Sequence, residues 1–284
     1  MSMLDALSDL KRLVRGPDVQ PGTRRARVIA VAARKGGVGK TTTTVNLGAS
    51  LALNHGLKVL LLDMDAQGHV GTSLMRDRID RHTDGLSAVL LEKRRDLQEV
   101  ACPSAIDGLW TVASDRNLNE TETLLSTRIG KELCLRNALK IARTHYDLIL
   151  IDCPPNLGTL TVNALVAADT VLVPCDLSTL GLDGVDALLD TVETIQETLN
   201  PTLGVLGLVR TRVDRRNVTM NAAIEQTLMA RHGRLLLETI VGISSAIPKA
   251  QLDGRPVQLH DPKSRGAEDY ATLASEVHAR LFGA

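Results

Sequence analysis

Five short apolar runs, each separated from the next by sequence of helical character, constrain this chain more than any other feature. They are Val28-Ile29-Ala30-Val31-Ala32, Lys58-Val59-Leu60-Leu61-Leu62-Asp63, Tyr146 to Asp152, Thr170-Val171-Leu172-Val173-Pro174 and Leu203 to Arg210, with a weaker run at Leu109 to Ala113. None alternates apolar with polar residues, so each reads as a strand buried on both faces. Stretches with the length and spacing of helices separate them, among them Thr41–Asn54, Gly130–Thr144 and Asp183–Thr198. Strands alternating with helices predict an α/β fold, a doubly wound and mostly parallel sheet flanked by helices. The core must be aliphatic. Of 284 residues 44% are hydrophobic, yet the only large aromatics are Trp110, Tyr146, Tyr270 and Phe282.

Lysine plus arginine and aspartate plus glutamate both total 33, so net charge names no partner. The distribution is uneven. Residues 1–35 hold 8 basic and 3 acidic side chains, residues 36–204 hold 14 and 22, and residues 205–284 hold 11 and 8. Basic ends on an acidic middle let one face meet an anionic surface. The cysteines Cys102, Cys134, Cys153 and Cys175 show no paired or metal-ligand spacing and read as small core residues in a reducing compartment. No run approaches the roughly 18 apolar residues of a membrane span, and no leader is visible, so a cytoplasmic protein is expected. Met3, Leu4, Leu7, Leu10, Leu13 and Val14 predict an amphipathic helix stopped by Gly16-Pro17. Residues 1–22 are therefore an N-terminal helix and linker, and 23–284 form one domain.

The chemistry begins where the first strand ends. Arg34-Lys35-Gly36-Gly37-Val38-Gly39-Lys40-Thr41-Thr42 follows an apolar strand and opens a helix. Gly36, Gly37 and Gly39 let successive backbone N–H groups turn toward a phosphate, and the helix adds its positive end. Gly39-Lys40-Thr41 fits the phosphate-loop pattern, although Arg34 stands where its first glycine belongs. Lys40 is expected on the β- and γ-phosphates, the Thr41 hydroxyl on Mg2+, and Thr42 within reach of the α-phosphate. ATP with magnesium is the expected ligand.

Lys35 to Thr42 resembles the deviant Walker A loop of the ParA/MinD ATPases, which carries an extra lysine at its start. The resemblance implies that Lys35 crosses to a partner subunit's nucleotide, so that ATP drives homodimer formation. Asp63-Met64-Asp65-Ala66-Gln67-Gly68-His69-Val70 resembles the family's DxDPQGNAT switch segment, with Ala66 in place of proline. Matched onto it, Asp65 positions the attacking water and Asp63 lies near the metal shell. Leu148 to Pro155 resembles the Walker B strand and turn, which puts Asp152 on magnesium through water. The stretch Val209 to Asn217 resembles the strand end near the adenine, with Thr211 and Arg212 beside the base and Arg215 and Arg216 as DNA-contacting arginines. Asp261 to Ala267 matches the C-terminal DPxSxGA. One departure stands out. The family's I-P-R-N loop is replaced by Ile240 to Ala246, which has neither proline nor arginine.

The resemblance implies a slow ATPase stimulated by a ParB-like partner, binding DNA without sequence preference on the nucleoid and partitioning DNA or positioning a cargo. A MinD-like membrane role needs a basic amphipathic tail, and Ala267 to Ala284 is not one. The alternative is a metabolic enzyme on the same scaffold, such as the nitrogenase reductase or an ATP-dependent ligase. The first requires cluster-ligating cysteines in loops that Cys153 and Cys175 do not match.

Overall fold

The computed structural model describes residues 21–74, 85–92 and 96–283. The helix expected within residues 1–22 falls on positions outside the described residues, apart from Pro21 and Gly22. Eight strands form one sheet: β1 (Arg27–Val31), β2 (Val59–Asp63), β3 (Cys102–Pro103), β4 (Leu109–Val112), β5 (Leu148–Asp152), β6 (Thr170–Cys175), β7 (Gly204–Val213) and β8 (Leu236–Gly242). Their spatial order is β3-β4-β2-β5-β1-β6-β7-β8. All neighbours run parallel except β3, which pairs antiparallel with β4. The doubly wound sheet expected from the apolar runs is present.

β1, β2 and β5 have every residue from the second onward buried, which is why their sequences do not alternate. Aliphatic clusters fill both faces. One face is covered by α1 (Lys40–His55) and α11 (Arg265–Phe282), the other by α4 (Leu118–Ser126), α5 (Cys134–Ala142), α6 (Thr159–Ala167) and α7 (Thr179–Thr198). α11 commits its apolar face to the core through Ala267, Tyr270, Leu273, Ala274 and Val277. Shorter helices α2 (His69–Leu74), α3 (Leu86–Leu91), α9 (Ala246–Leu252) and α10 (Val257–His260), with α8 (Val218–His232), complete the connections.

Two expectations shift and one strand is new. The helix read over Gly130–Thr144 is a short 3-10 turn, Lys131–Leu133, entered from Gly130 in the left-handed region (φ 71°), followed by α5 over Cys134–Ala142. The stretch Ile240 to Ala246 is no single loop: β8 continues to Gly242 and α9 starts at Ala246. β3 had no sequence signal, being two residues that end in proline at the sheet edge.

Candidate functional site

β1 lies between β5 and β6, so the loop leaving β1 emerges at the carboxyl ends of three parallel strands, the usual ligand position in such sheets. Gly37 (φ 77°) and Gly39 (φ 94°) are left-handed, a conformation that costs a side-chain-bearing residue roughly 1–2 kcal/mol. Gly39 caps α1 with no side-chain acceptor, which leaves the first-turn N–H groups for a ligand. α1 is 16 residues long and carries no acidic residue in its first turn, so its positive end is uncompensated.

The two loop lysines diverge. The Lys40 side chain turns into the loop, where Nζ donates to the Lys35 carbonyl at 3.4 Å, and Lys40 is only 7% exposed. Burial lowers its pKa, while the Asp152 charge opposes that shift. Lys35 points away from the loop. Its Nζ donates to Asp176 Oδ2 at 2.6 Å and Ser178 Oγ at 3.0 Å, on the turn between β6 and α7.

Register sets the carboxylates. Asp152 ends β5, and both Val31 of β1 and Asp63 of β2 are its direct neighbours across the sheet. Thr41 Oγ1 donates to Asp152 Oδ2 at 2.7 Å, and Thr44 Oγ1 to Oδ1 at 3.3 Å. Asp63 accepts from the Asp65 and Val70 amides, each at 3.1 Å. Both acids are fully buried. Burial pushes Asp152 up to about 7, against the pull of the Thr41 hydrogen bond and Lys40, and burial with the Asp152 charge pushes Asp63 well above the carboxylate range. A cation beside Thr41 would relieve both. Among the described residues no group of three or more His, Cys, Asp or Glu could cage a metal ion. The donors present, the Thr41 hydroxyl and the Asp152 carboxylate, fit magnesium, which binds through a few protein oxygens and completes its shell with water and phosphate.

Asp65 follows on the switch turn, half-buried, its Oδ1 accepting from the Gln67 amide at 3.0 Å. Thr211 closes the other side of the loop. Its hydroxyl contacts the Val38 carbonyl at 2.7 Å and the Cys175 carbonyl at 3.1 Å, so it braces the phosphate loop against β6. Arg212 is exposed and is the single non-glycine residue with positive φ among the described residues (54°). Such strain recurs at ligand clamps. Thr42 accepts from Gln251 Nε2 at 3.1 Å. Arg215 pairs with Asp269 at 3.2 Å, and Arg216 makes a bidentate pair with Asp214 at 2.9 and 2.8 Å.

Sequence reasoning missed Asp176, Ser178, Thr44 and Gln251. Asp176 carried a usable signal, a carboxylate just past the end of a buried strand at the ligand edge. Gln251 carried none.

A glycine loop on a helix N-terminus, an inward lysine and a hydroxyl–carboxylate pair at the strand ends define a P-loop nucleoside triphosphatase. A family model described as an AAA domain matches residues 26–205, and the chromosome partitioning protein ParA of Caulobacter vibrioides is 37% identical over 256 residues, covering 89% of this chain and 94% of that protein. The chain belongs to the ParA/MinD family of P-loop ATPases. The sporulation initiation inhibitor protein Soj of Bacillus subtilis is 36% identical over 253 residues, 89% of this chain and 98% of Soj. Among solved structures, cobyrinic acid a,c-diamide synthase from Mycobacterium smegmatis, with bound ATP analogue and magnesium, gives a TM-score of 0.76 at 32% identity over 91% of this chain and 97% of that one.

Proposed function

We propose that this chain is an ATP-driven switch: it binds Mg·ATP, dimerises, binds DNA without sequence preference, and partitions DNA or positions a cargo over the nucleoid until hydrolysis releases it. The observation that carries this reading is the divergence of the two lysines. Lys40 serves its own loop, whereas Lys35 stands at the rim with its side chain 28% exposed, where a second subunit can receive it.

Gly36, Gly37, Val38 and Gly39 present backbone donors to the phosphates, and Lys40 neutralises the β- and γ-oxygens. Thr41 and Asp152 hold magnesium, with Asp63 in its outer shell. The ion, when bound, would offset the negative charge that develops as the phosphoryl group is transferred. Thr42 reaches the α-phosphate. Asp65 orients the attacking water, Thr211 and Arg212 flank the base, and the partner copy's Lys35 stabilises the leaving charge. Arg215 and Arg216 contribute DNA contacts by exchanging their carboxylate partners for phosphates. Hydrolysis is slow until a ParB-like protein stimulates it.

A ligase reading has one observation behind it, the likeness to the mycobacterial synthase. The cysteines at the site end of the sheet offer no reactive thiol: Cys153 and Cys175 are buried, and burial pushes both up, Cys175 to about 12, while the exposed Cys102 lies on the edge strand β3. A membrane role finds no free apolar face on α11, which commits Ala267, Tyr270, Leu273, Ala274 and Val277 to the core.

Light scattering tests the switch. Lys40→Ala is expected to lose ATP binding. Lys35→Ala is expected to keep it and lose ATP-dependent dimerisation and turnover. A normal dimer with normal turnover in Lys35→Ala would overturn the reading.

A further inference from the structure

Four threonines follow Lys40, and the phosphate loop accounts for only two of them. In the reading above Thr41 serves magnesium and Thr42 the α-phosphate. Thr43 and Thr44 lie beyond, near the start of α1, and both are fully buried. A β-branched residue is a poor helix former, so four in succession weaken the start of α1 and each calls for a reason. The structure gives them different partners. Thr41 Oγ1 donates to Asp152 Oδ2 at 2.7 Å, Thr42 accepts from Gln251 at 3.1 Å, and the Thr43 hydroxyl meets that of Tyr270 on α11 at 3.3 Å. Thr44 stands apart, because its hydroxyl has one proton and two acceptors. It lies 3.1 Å from the Lys40 carbonyl and 3.3 Å from Asp152 Oδ1.

The bond to Lys40 is dispensable. That carbonyl takes the helix's own bond from the Thr44 amide, so it stays satisfied without the hydroxyl. The bond to Asp152 has no substitute. Asp152 is fully buried at the end of β5. Among the described residues the groups that donate to its carboxylate are the Thr41 and Thr44 hydroxyls, one on each oxygen, and no others. Its neighbour Asp63 has a backbone amide on each oxygen, from Asp65 and from Val70. Asp63 is thus oriented by its own switch turn, whereas Asp152 is oriented by two side chains of a single helix. Thr41 and Thr44 are three residues apart and so share the face of α1 that packs on β5. Magnesium claims the Thr41 hydroxyl in the proposed function, which leaves Thr44 as the anchor that no ligand competes for.

We propose that Thr44 is a positioning residue for the magnesium site: its hydroxyl turns from the Lys40 carbonyl to Asp152 Oδ1 and fixes the rotation of that carboxylate, holding Oδ2 on the side of Thr41. Thr44 itself touches neither ion nor nucleotide. Without it the carboxylate keeps one donor and turns about its terminal bond, whose rotational wells are broad. The inference rests on the Mg·ATP reading above. Its rival is the common back-bond of a threonine to the carbonyl four residues earlier, which would serve the helix alone. Loss of that bond would fall equally on the protein with and without magnesium.

Calorimetric titration of the full-length protein with ADP, in magnesium chloride and in EDTA, reads the magnesium contribution as the ratio of the two affinities. Thr44→Val keeps the shape and removes the hydroxyl. It should shrink the ratio about tenfold and leave the affinity in EDTA unchanged. The figure is the lower end of what a hydrogen bond to a charged group supplies, because 3.3 Å is long for one between oxygens. Thr44→Ser restores the hydroxyl and should restore the ratio, and Thr44→Ala carries the same expectation as valine should valine misfold. In an Asp152→Asn background Thr44→Val should leave the ratio where it is, since it acts through that carboxylate. A wild-type ratio in Thr44→Val, a loss equal in magnesium and EDTA, or an additive loss in the Asp152→Asn background overturns the inference and leaves the Mg·ATP reading standing. Wild-type protein whose ADP affinity ignores magnesium overturns both.

Discussion

Asp176→Asn isolates the contact that holds Lys35 inside its own subunit. Asparagine keeps the shape of the side chain and the Oδ1 acceptor that Ser178 Oγ uses at 2.9 Å, and removes the charge that meets Lys35 Nζ at 2.6 Å. Buried charge-assisted hydrogen bonds are worth roughly 1.5–3 kcal/mol. The side chains of Lys35 and Asp176 are 28% and 24% exposed, so solvent screening reduces this to about 1 kcal/mol. In the dimer proposed above both lysines cross the interface, so both latches must open. Removing them should favour the ATP dimer by about 2 kcal/mol, roughly thirtyfold in dimer dissociation constant at fixed ATP. Sedimentation of the ATP-loaded protein over a concentration series measures this directly, with ADP-loaded protein as the monomer reference. A variant that dimerises at the wild-type concentration, or more weakly, would refute the latch and mean that Asp176 holds Lys35 equally well in the dimer.

Asp65→Ala should bind ATP and dimerise while failing to hydrolyse, because the phosphates keep their cradle and only the water loses its guide; retained turnover would move that role to Asp63. Thr211→Val should weaken ATP binding by roughly tenfold and lower the melting temperature, since the Val38 and Cys175 carbonyls lose their buried donor, at a cost of about 1–3 kcal/mol. Calorimetry that finds wild-type affinity would show that the loop holds its shape without this brace.

The architecture was legible because it is written locally. A strand buried on both faces must be apolar throughout, so β1, β2, β5 and β6 stand out in the sequence, and the loop between β1 and α1 announces itself by its glycines. Asp63 and Asp152 were readable for the same reason: each is the first charge at the end of a buried strand, and parallel register puts such ends together. What stayed hidden depends on pairs distant in the chain. Lys35 and Asp176 are 141 residues apart, Thr42 and Gln251 are 209, and Arg215 and Asp269 are 54. No periodicity encodes such pairs, and family resemblance assigns these residues to nucleotide and DNA rather than to one another. The hidden pairs have a common character. Lys35 has Asp176, Lys40 has a loop carbonyl, Thr41 has Asp152, Thr42 has Gln251, and Arg215 and Arg216 have carboxylates. The side chains named here are already satisfied at rest, although the first-turn N–H groups of α1 are not. Binding therefore exchanges contacts instead of adding them, and each exchange contributes only its difference in free energy. On the proposed function, ATP, a second subunit and DNA become mutually dependent, because each releases a group that another must take up, and that dependence is what would make such a chain a switch rather than a simple nucleotide binder.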